Sequence, residues 1–311
     1  MANICSCDGN IQNLGKPNCL EGLDAALFPI FMTTEKVDGT SNCIDASGTL
    51  DAALFNGLFK DETAADRWLA LTGIKNYLAE PADATTEDFD DGTFVLLADG
   101  AISVTFIVPC NDPYKLKAKV DALRCLTTSF MLVDRSGNLI GEASGSDLCG
   151  RKIQDNSISS KVLPKNDSQT NKLEVSFVID KASNDRKVDW IAADDITGYD
   201  LTTTTGLLDV NTESLTAASA TSLTWVASLD WGSLSSRTPA GGLTATEIEV
   251  YNETTSSAVA ATVAESPIGT YTLTIAAQTT SDVLHVRGIS GNTVQLSYDL
   301  KDVPSVTVAA L

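Results

Sequence analysis

Histidine is nearly absent from this sequence, since the 311 residues contain only His285. A catalytic triad or another activated nucleophile needs a base beside it, and His285 stands between Leu284 and Val286, in the manner of a structural strand residue. A P-loop and a strand-linked G-x-G-x-x-G fingerprint are also missing. Carboxylates are so numerous that no pair stands out as the acid and nucleophile of a glycosidase. The sequence therefore predicts no catalytic residue, no cofactor and no enzyme.

Basic residues are scarce, because 21 Lys and Arg stand against 41 Asp and Glu and give a net charge of -20. A surface that grips nucleic acid or anionic lipid needs clustered Lys and Arg, so this balance argues against both ligands. No stretch approaches the roughly 18 apolar residues of a membrane span. The first residues, Met1–Cys5, lack the basic and apolar regions of a secretory signal peptide. We therefore expect synthesis and assembly in a cytoplasm, with no membrane partner.

Cysteine is missing from the second half of the chain. The seven cysteines are Cys5, Cys7, Cys19, Cys43, Cys110, Cys125 and Cys149. An odd number without a signal peptide favours free thiols. The first four are the alternative, as a zinc site, but paired C-x-x-C spacing is absent and the histidine is distant. The sequence therefore predicts buried or unreactive thiols and no metal site.

An acidic run extends from Glu80 to Asp91 and contains six carboxylates. Carboxylate oxygens are the ligands that calcium prefers, but the run lacks the alternating ligand spacing of an EF-hand loop. Acidic runs are usually solvated loops, and a loop is the interpretation we adopt.

The central stretch, residues 89–143, has the clearest pattern of elements. A turn at Asp99-Gly100 joins two apolar runs and predicts a β-hairpin over Phe94–Pro109. Asp112 as N-cap and Pro113 at the first helical position then predict a helix over 113–125. Leu116, Val120 and Leu123 form its apolar stripe, so this helix should pack on a sheet.

A second hairpin is predicted over Ser129–Ala143, turning at residues 135–138. This unit of hairpin, helix and hairpin cannot bury its faces alone, so the strands predicted at 157–162 and 172–179 should complete it. Upstream, we predict a strand at 28–36, a helix at 49–58, a second helix from Asp61 or Thr63 through Leu71, and a strand at 74–79. The result is a small barrel or sandwich with one packed helix.

Beyond residue 197 the composition changes, because Ser and Thr dominate and Cys disappears. Seven short alternating runs separated by turn residues predict a β-sandwich. These strands are predicted at residues 222–229, 247–252, 259–263, 270–275, 283–287, 294–298 and 305–309. The predicted organisation is an N-terminal arm (1–30), a β domain (31–193), a linker (194–204) and a second β domain (205–311), giving a mainly β chain with a minor α component.

The order of elements resembles that of the tail tube, or major tail, proteins of tailed bacteriophages. The resemblance covers roughly residues 28–191. It rests on Arg67-Trp68, the strand at 74–79, the acidic link, Phe89-Asp90-Asp91-Gly92-Thr93, the strand after Gly100, the capped helix 113–125 and the hairpin 129–143. The C-terminal part resembles the Ig-like modules appended to phage structural proteins, without the Cys pair of antibody domains.

The resemblance implies a structural virion protein that forms stacked hexameric rings, with the two hairpins of each subunit in a shared inner barrel. It further implies stacking through a loop and terminal arms, for which residues 31–60 and 1–20 are candidates, and partners among other tail or head proteins. DNA would pass an acidic lumen without specific binding. We assign Asp99, Asp134 and Glu142 to that lumen as a hypothesis, and we expect the protein in the tail of the virion.

Two other functions stay open at this point. A capsid or head-decoration protein would share the acidic, β-rich, multi-subunit character, but it would bind a preformed shell instead of polymerising linearly. A carbohydrate-binding or adhesive module would need an exposed aromatic platform, for which Trp225, Trp231 and Tyr251 are the candidates.

Overall fold

A computed structural model describes most of the chain and divides it into two compact units. The described residues are 23–90, 93–98, 100–184, 188–291, 293, 298–301 and 304–308. The first unit comprises residues 1–59 and 63–205, and the second comprises 60–62 and 206–311. The chain is mainly β with few helices, as the sequence predicts. The boundary at 205/206 lies one residue from the predicted start of the second domain.

The first unit contains the following elements in chain order. They are β1 Ala26–Thr33, β2 Cys43–Asp45, α1 Ala52–Phe59, β3 Leu69–Ala70, β4 Lys75–Pro81, β5 Thr85–Asp88, β6 Phe94–Ala98, β7 Ile102–Pro109, α2 Pro113–Ala122, β8 Thr128–Asp134, β9 Leu139–Ser144, β10 Asp147–Cys149, β11 Arg151–Lys152, β12 Ser159–Leu163, β13 Lys172–Val178, α3 Lys181–Asn184 and β14 Val188–Ile191.

Two sheets form the body of this unit. The larger has the order β2-β10-β9-β8-β1-β3, with β11 on β8 and β14 on β9, and the smaller has the order β12-β13-β7-β4. The long antiparallel pair β1–β8 lies between two hydrophobic clusters, because Ile30 and Met131 face one cluster while Phe31 and Phe130 face the other. Burial on both faces explains why β1 is almost continuously apolar.

The smaller sheet is held to the larger by aromatic side chains. The ring of Phe177 on β13 contacts Phe130 with ring centroids 4.8 Å apart, Phe31 at 5.9 Å and Phe106 at 6.4 Å. Helix α2 adds Val120 to the same cluster. The predicted helix 113–125 is thus confirmed as α2 plus a short 3-10 turn, and so are the β8–β9 hairpin and the strands β12 and β13.

The predicted hairpin Phe94–Pro109 is wrong, because β6 pairs with β5 and β7 pairs with β4 and β13. The four strands β4 to β7 instead form one long hairpin, in which the Phe89 N–H donates to the Thr93 carbonyl at 2.8 Å. We call residues 80–101 the acidic ribbon. Gly100 is required there, because a Cβ would lie 1.9 Å from the backbone oxygen of Ala82.

The second predicted helix, from Asp61 or Thr63 through Leu71, is also wrong. The chain makes turns there and then enters β3, which pairs with β1. Trp68 is 1% exposed, and its Nε1–H donates to Asn42 Oδ1 at 2.9 Å. Tertiary burial of this indole outweighs the local helix pattern.

The predicted linker 194–204 is part of the first unit. Leu201 is 1% exposed and Ile196 is buried, both in the same cluster as α1. Tyr199 stacks on Phe55 and Phe59 with centroid distances of 5.3 and 6.3 Å. This segment therefore closes the core and does not act as a free connector.

The prediction of free thiols is wrong for two cysteines. Cys43 on β2 and Cys149 on β10 are register partners and form a disulfide, with Cα atoms 4.3 Å apart. Antiparallel pairing brought together two residues that are 106 positions apart, which spacing along the chain does not reveal. Cys110 and Cys125 are free thiols, while Cys5, Cys7 and Cys19 lie outside the described residues.

The second unit is a sandwich of short strands. They are β15 Leu208–Ser219, β16 Ser222–Ser233, β17 Ser236–Pro239, β18 Ile248–Asn252, β19 Ser257–Val259, β20 Ala261–Glu265, β21 Thr270–Ile275, β22 Val283–Gly288, β23 Tyr298–Leu300 and β24 Ser305–Thr307. One sheet has the order β20-β21-β16-β15-β23 with β17 on β16, and the other β19-β18-β22-β24. Side chains from both sheets contribute to one hydrophobic cluster, as in a β-sandwich.

The core of the sandwich is centred on Trp225, which is 1% exposed and lies 5.1 Å from the ring of Tyr271. Tyr271 is itself anchored, since its hydroxyl donates to the Ala240 carbonyl at 2.6 Å. Six of the seven predicted runs overlap described strands of this unit and the seventh, 294–298, falls mostly outside the described residues, whereas β15 and β17 were not predicted. The predicted arm 1–30 is described only from residue 23 onward.

Candidate assembly surface

Asp134, predicted to face a lumen, is fully buried in the turn between β8 and β9. Its carboxylate accepts hydrogen bonds from the backbone N–H groups of Asp24, Ser136 and Asn138 and from the Asn138 side chain, at 2.8–3.0 Å. Burial raises the pKa of Asp134, but these four donors lower it by more, so the pKa lies below its usual value. The residue organises the turn, and its assignment to a lumen is wrong.

We expect Asp134→Asn to lower the free energy of unfolding by about 2 kcal/mol, because the amide would present its own N–H groups to two donors. Since the folded-state pKa is depressed, the carboxylate stabilises the fold above the pKa of an unfolded Asp, and this contribution is lost as the pH falls. The difference from the wild type should therefore shrink between about pH 5 and pH 2 in urea titrations. Asp155→Asn, at an exposed position, is the matched control, and an equal effect of both variants would contradict this role.

Glu142 was assigned to the lumen as well, and it is 3% exposed on β9. Burial lowers the pKa of Arg151, while the charges of Tyr77 and Glu142 raise it, so the three groups are neighbours. Burial also raises the pKa of Tyr77 to about 12. Glu142 therefore balances a half-buried guanidinium inside the unit, and the lumen assignment is wrong here too. Asp99, the third residue of that hypothesis, lies outside the described residues.

The predicted cap of α2 is present. Asp112 occupies the N-cap, its Oδ1 accepts from the Lys115 N–H at 3.2 Å, and Pro113 begins the helix. At the other end of α2, Arg124 donates from Nε to the Ile158 carbonyl at 2.8 Å and ties the helix to the strand below it. These contacts fix the helix on the smaller sheet.

Two places in the second unit bring together described side chains that can titrate or share a proton. His285 lies on β22 with Nδ1 2.8 Å from Glu253 Oε1, at the surface of the sandwich. An open cavity of about 240 Å³ in the second unit holds an ion pair, Arg237 Nε to Glu213 Oε1 at 3.4 Å, and the Ser228 hydroxyl donates to the same Glu213 oxygen. Within the described ranges, no three His, Cys, Asp or Glu side chains come together as a group that could hold a metal.

The three aromatic residues considered for carbohydrate binding do not form an exposed platform. Trp225 is in the core, and Trp231 packs against the same core as a half-buried side chain. The ring of Tyr251 is covered by the guanidinium of Arg287, whose Cζ lies 3.7 Å from the ring centroid. A sugar ring would find no open aromatic face on these residues.

The surfaces that remain are open strand edges and the acidic ribbon. Strand β4 ends the smaller sheet, and no other described strand pairs with its outer edge. Leu78 on β4 is 50% exposed, and Phe89 in the ribbon is 46% exposed. On the larger sheet, the edge strand β14 exposes Trp190 by 43%. An unpaired edge with apolar side chains is a template for another chain.

The open edges and the acidic ribbon are therefore surfaces on which another protein chain could dock. Sequence reasoning missed the ribbon as a surface, since it treated residues 80–91 as a loop and 94–109 as a separate hairpin. One signal was visible, because no Lys or Arg occurs from residue 76 to residue 114. A segment that contains carboxylates and no basic residue has a negative electrostatic potential around it, which attracts positively charged surfaces.

Comparison with protein-family models returns no match. A search of curated proteins returns no match either. Among solved structures, the chain is similar to FdeC, described as a broadly conserved Escherichia coli adhesin that elicits protection against urinary tract infections. The identity is 12%, the alignment covers 78% of this chain and 91% of that chain, and the TM-score is 0.22. A TM-score this low carries no argument about fold or function.

None of the helices in the described part of the chain has the length and apolar character that crossing a membrane requires.

Proposed function

We propose that this chain is a structural virion protein that forms stacked hexameric rings of a bacteriophage tail tube, through which DNA passes during ejection. Its partners are further copies of itself and other tail or head proteins, and DNA passes without specific binding. The proposal places the protein in the tail of the virion after assembly in the cytoplasm of a bacterial host, with no membrane partner.

The observation that carries the proposal is the free edge of β4 in a unit that is otherwise well packed. The sheet β12-β13-β7-β4 has a buried core on one side and ends in a seven-residue strand that exposes Leu78. In a ring, such an edge is closed by pairing with the next subunit. The packed helix α2 and the β8–β9 hairpin add to the resemblance in element order.

Asp134 and Glu142 do not contribute to the negative charge of the proposed lumen, because both side chains are buried. Both carboxylates have partners inside the first unit, and neither presents charge to a channel. Support for an acidic, DNA-repelling tube comes from the net charge of -20, which other exposed carboxylates must carry.

Electron microscopy of the purified chain at rising concentration, with light scattering alongside, tests the proposal. We expect hollow tubes or stacked rings of uniform diameter. Leu78→Lys should keep the monomer folded, because the side chain is half exposed, but should block ring formation by placing a charge on the edge. Leu234→Lys is the matched control, since Leu234 is 94% exposed in the second unit, and this variant should form tubes.

Particles that stay monomeric or trimeric at every concentration would speak against a tube and for a decoration protein. Unchanged tubes in the Leu78→Lys variant would show that the β4 edge is not the closing surface.

A further inference from the structure

Charge is segregated within the first unit. The acidic ribbon, residues 80–101, contains seven carboxylates and no Lys or Arg. Its described side chains are open to solvent, because every residue from 78 to 87 is exposed, as are Phe89 and Asp90. An acidic two-stranded segment with exposed apolar side chains beside it at Leu78 and within it at Phe89 is suited to docking.

A second surface has the opposite charge. Residues 111–119 and 161–172, which we call the lysine end, contain six lysines and two aspartates. Lys161 and Lys165 are exposed, and Tyr114 at the start of α2 is 67% exposed. In a chain of net charge -20, this is a locally positive patch with an exposed aromatic ring. It therefore complements the ribbon in both charge and apolar content.

The backbone places these two surfaces at opposite ends of the smaller sheet. Strand β7 leaves the ribbon at Ile102 and ends at Pro109, which pairs with Lys172, itself paired with Leu163. At about 3.3 Å per residue, the eight residues of β7 alone separate the two ends by roughly 25 Å. The ribbon joins β4 to β7 where Pro81 pairs with Ile102, so it begins at the end of the sheet opposite to the lysine end.

We propose that the acidic ribbon of one copy docks on the lysine end of a second copy of this chain. The contact is heterologous, joining different surfaces of the two copies, and it propagates from subunit to subunit. It deepens the proposed function, on which it rests, by naming the surfaces through which copies meet. Carboxylates of the ribbon face Lys161 and Lys165, and Phe89 lies near Tyr114 of the second copy.

Charge reversal with exchange of partners tests this contact. The ribbon variant carries Asp83→Lys and Glu87→Lys, and the lysine-end variant carries Lys161→Glu and Lys165→Glu. We expect each variant alone to associate about tenfold or more weakly than the wild type in sedimentation velocity at about 50 mM salt. An equimolar mixture of the two should regain association, because each surface then meets its opposite charge. The variant with all four changes should regain it as well.

A matched control tests whether the change in net charge alone could weaken association. Asp194→Lys with Asp195→Lys changes the charge as the ribbon variant does, at two exposed positions on another part of the first unit. This control should associate like the wild type, and about 500 mM salt should weaken the wild-type contact.

The possible outcomes distinguish failure of the proposed contact from failure of the proposed tail tube. Ribbon and lysine-end variants that associate like the wild type overturn the contact, and if they still form tubes, the tube stands without it. A wild type that is monomeric at all concentrations overturns the contact as well. The variants could lose association singly and regain it when mixed, while the wild type forms closed particles without a channel. That result would support the contact and contradict the proposed tail tube.

Discussion

Replacing Trp225 with Ala should unfold most of the second unit, with a loss of about 3–5 kcal/mol in the free energy of unfolding. The indole is 1% exposed, lies 5.1 Å from the Tyr271 ring and donates from Nε1 to Thr212 Oγ1 at 3.0 Å. Its removal leaves a cavity between two sheets that cannot collapse without breaking strand pairing. A domain of this size has a total stability of roughly 5–15 kcal/mol, so the loss is a large part of it.

Hydrogen exchange followed by mass spectrometry measures this locally. Peptides that cover β16 and β21 should lose most of their protection in the Trp225→Ala variant. Trp190→Ala is the matched control, because that indole is 43% exposed on an edge strand and its loss should cost below about 1 kcal/mol. Equal loss of protection in both variants would mean that Trp225 does not hold the sandwich together.

Elements whose signals are local could be predicted from the sequence. Helix α2 begins where Asp112 and Pro113 place it, because a cap and a fixed φ act within one turn of helix. The β8–β9 hairpin and most strands of the second unit follow from alternation between turn residues. In each case the residues that determine the element lie within a few positions of one another.

Pairing between distant residues could not be predicted in the same way. The turn at Asp99-Gly100 has the composition of a hairpin turn, yet Gly100 is needed because its Cα lies against the backbone of Ala82. Trp68 fits a helical stripe, but its hydrogen bond to the Asn42 side chain and its burial hold it in the irregular segment before β3. Such choices depend on contacts that sequence periodicity does not contain.

The sequence contained some of the information needed to judge the proposed lumen residues and the charged surfaces of the first unit. Asp134 opens a turn with Ser136 and Asn138, and an Asp at such a position commonly accepts bonds from backbone N–H groups, which argues against exposure. Glu142 carried no comparable signal, because Arg151 reaches it through folding of the next hairpin. Charge segregation, by contrast, is a property of the sequence alone, and it becomes a surface only when the ribbon and the lysine end are placed at opposite ends of one sheet.

Loss of the Cys43–Cys149 disulfide should lower the free energy of unfolding of the first unit by about 3–4 kcal/mol. The bond joins residues 106 positions apart, and a link across so long a loop removes much conformational freedom from the unfolded chain. In urea titrations, a reductant should therefore shift the unfolding midpoint of the wild type to lower urea. The variant Cys43→Ser with Cys149→Ser should unfold at that lower midpoint with or without reductant.

The free thiols provide the control for this effect. A variant with Cys110→Ser and Cys125→Ser keeps the disulfide and should respond to reductant as the wild type does. An unchanged midpoint in reduced wild type would contradict the cross-link as a source of stability. The first unit must nevertheless fold without the bond if the chain assembles in a reducing cytoplasm, as we propose. Burial of Phe177 against three other aromatic rings provides a core that does not depend on the disulfide, so the reduced unit should be weaker but folded.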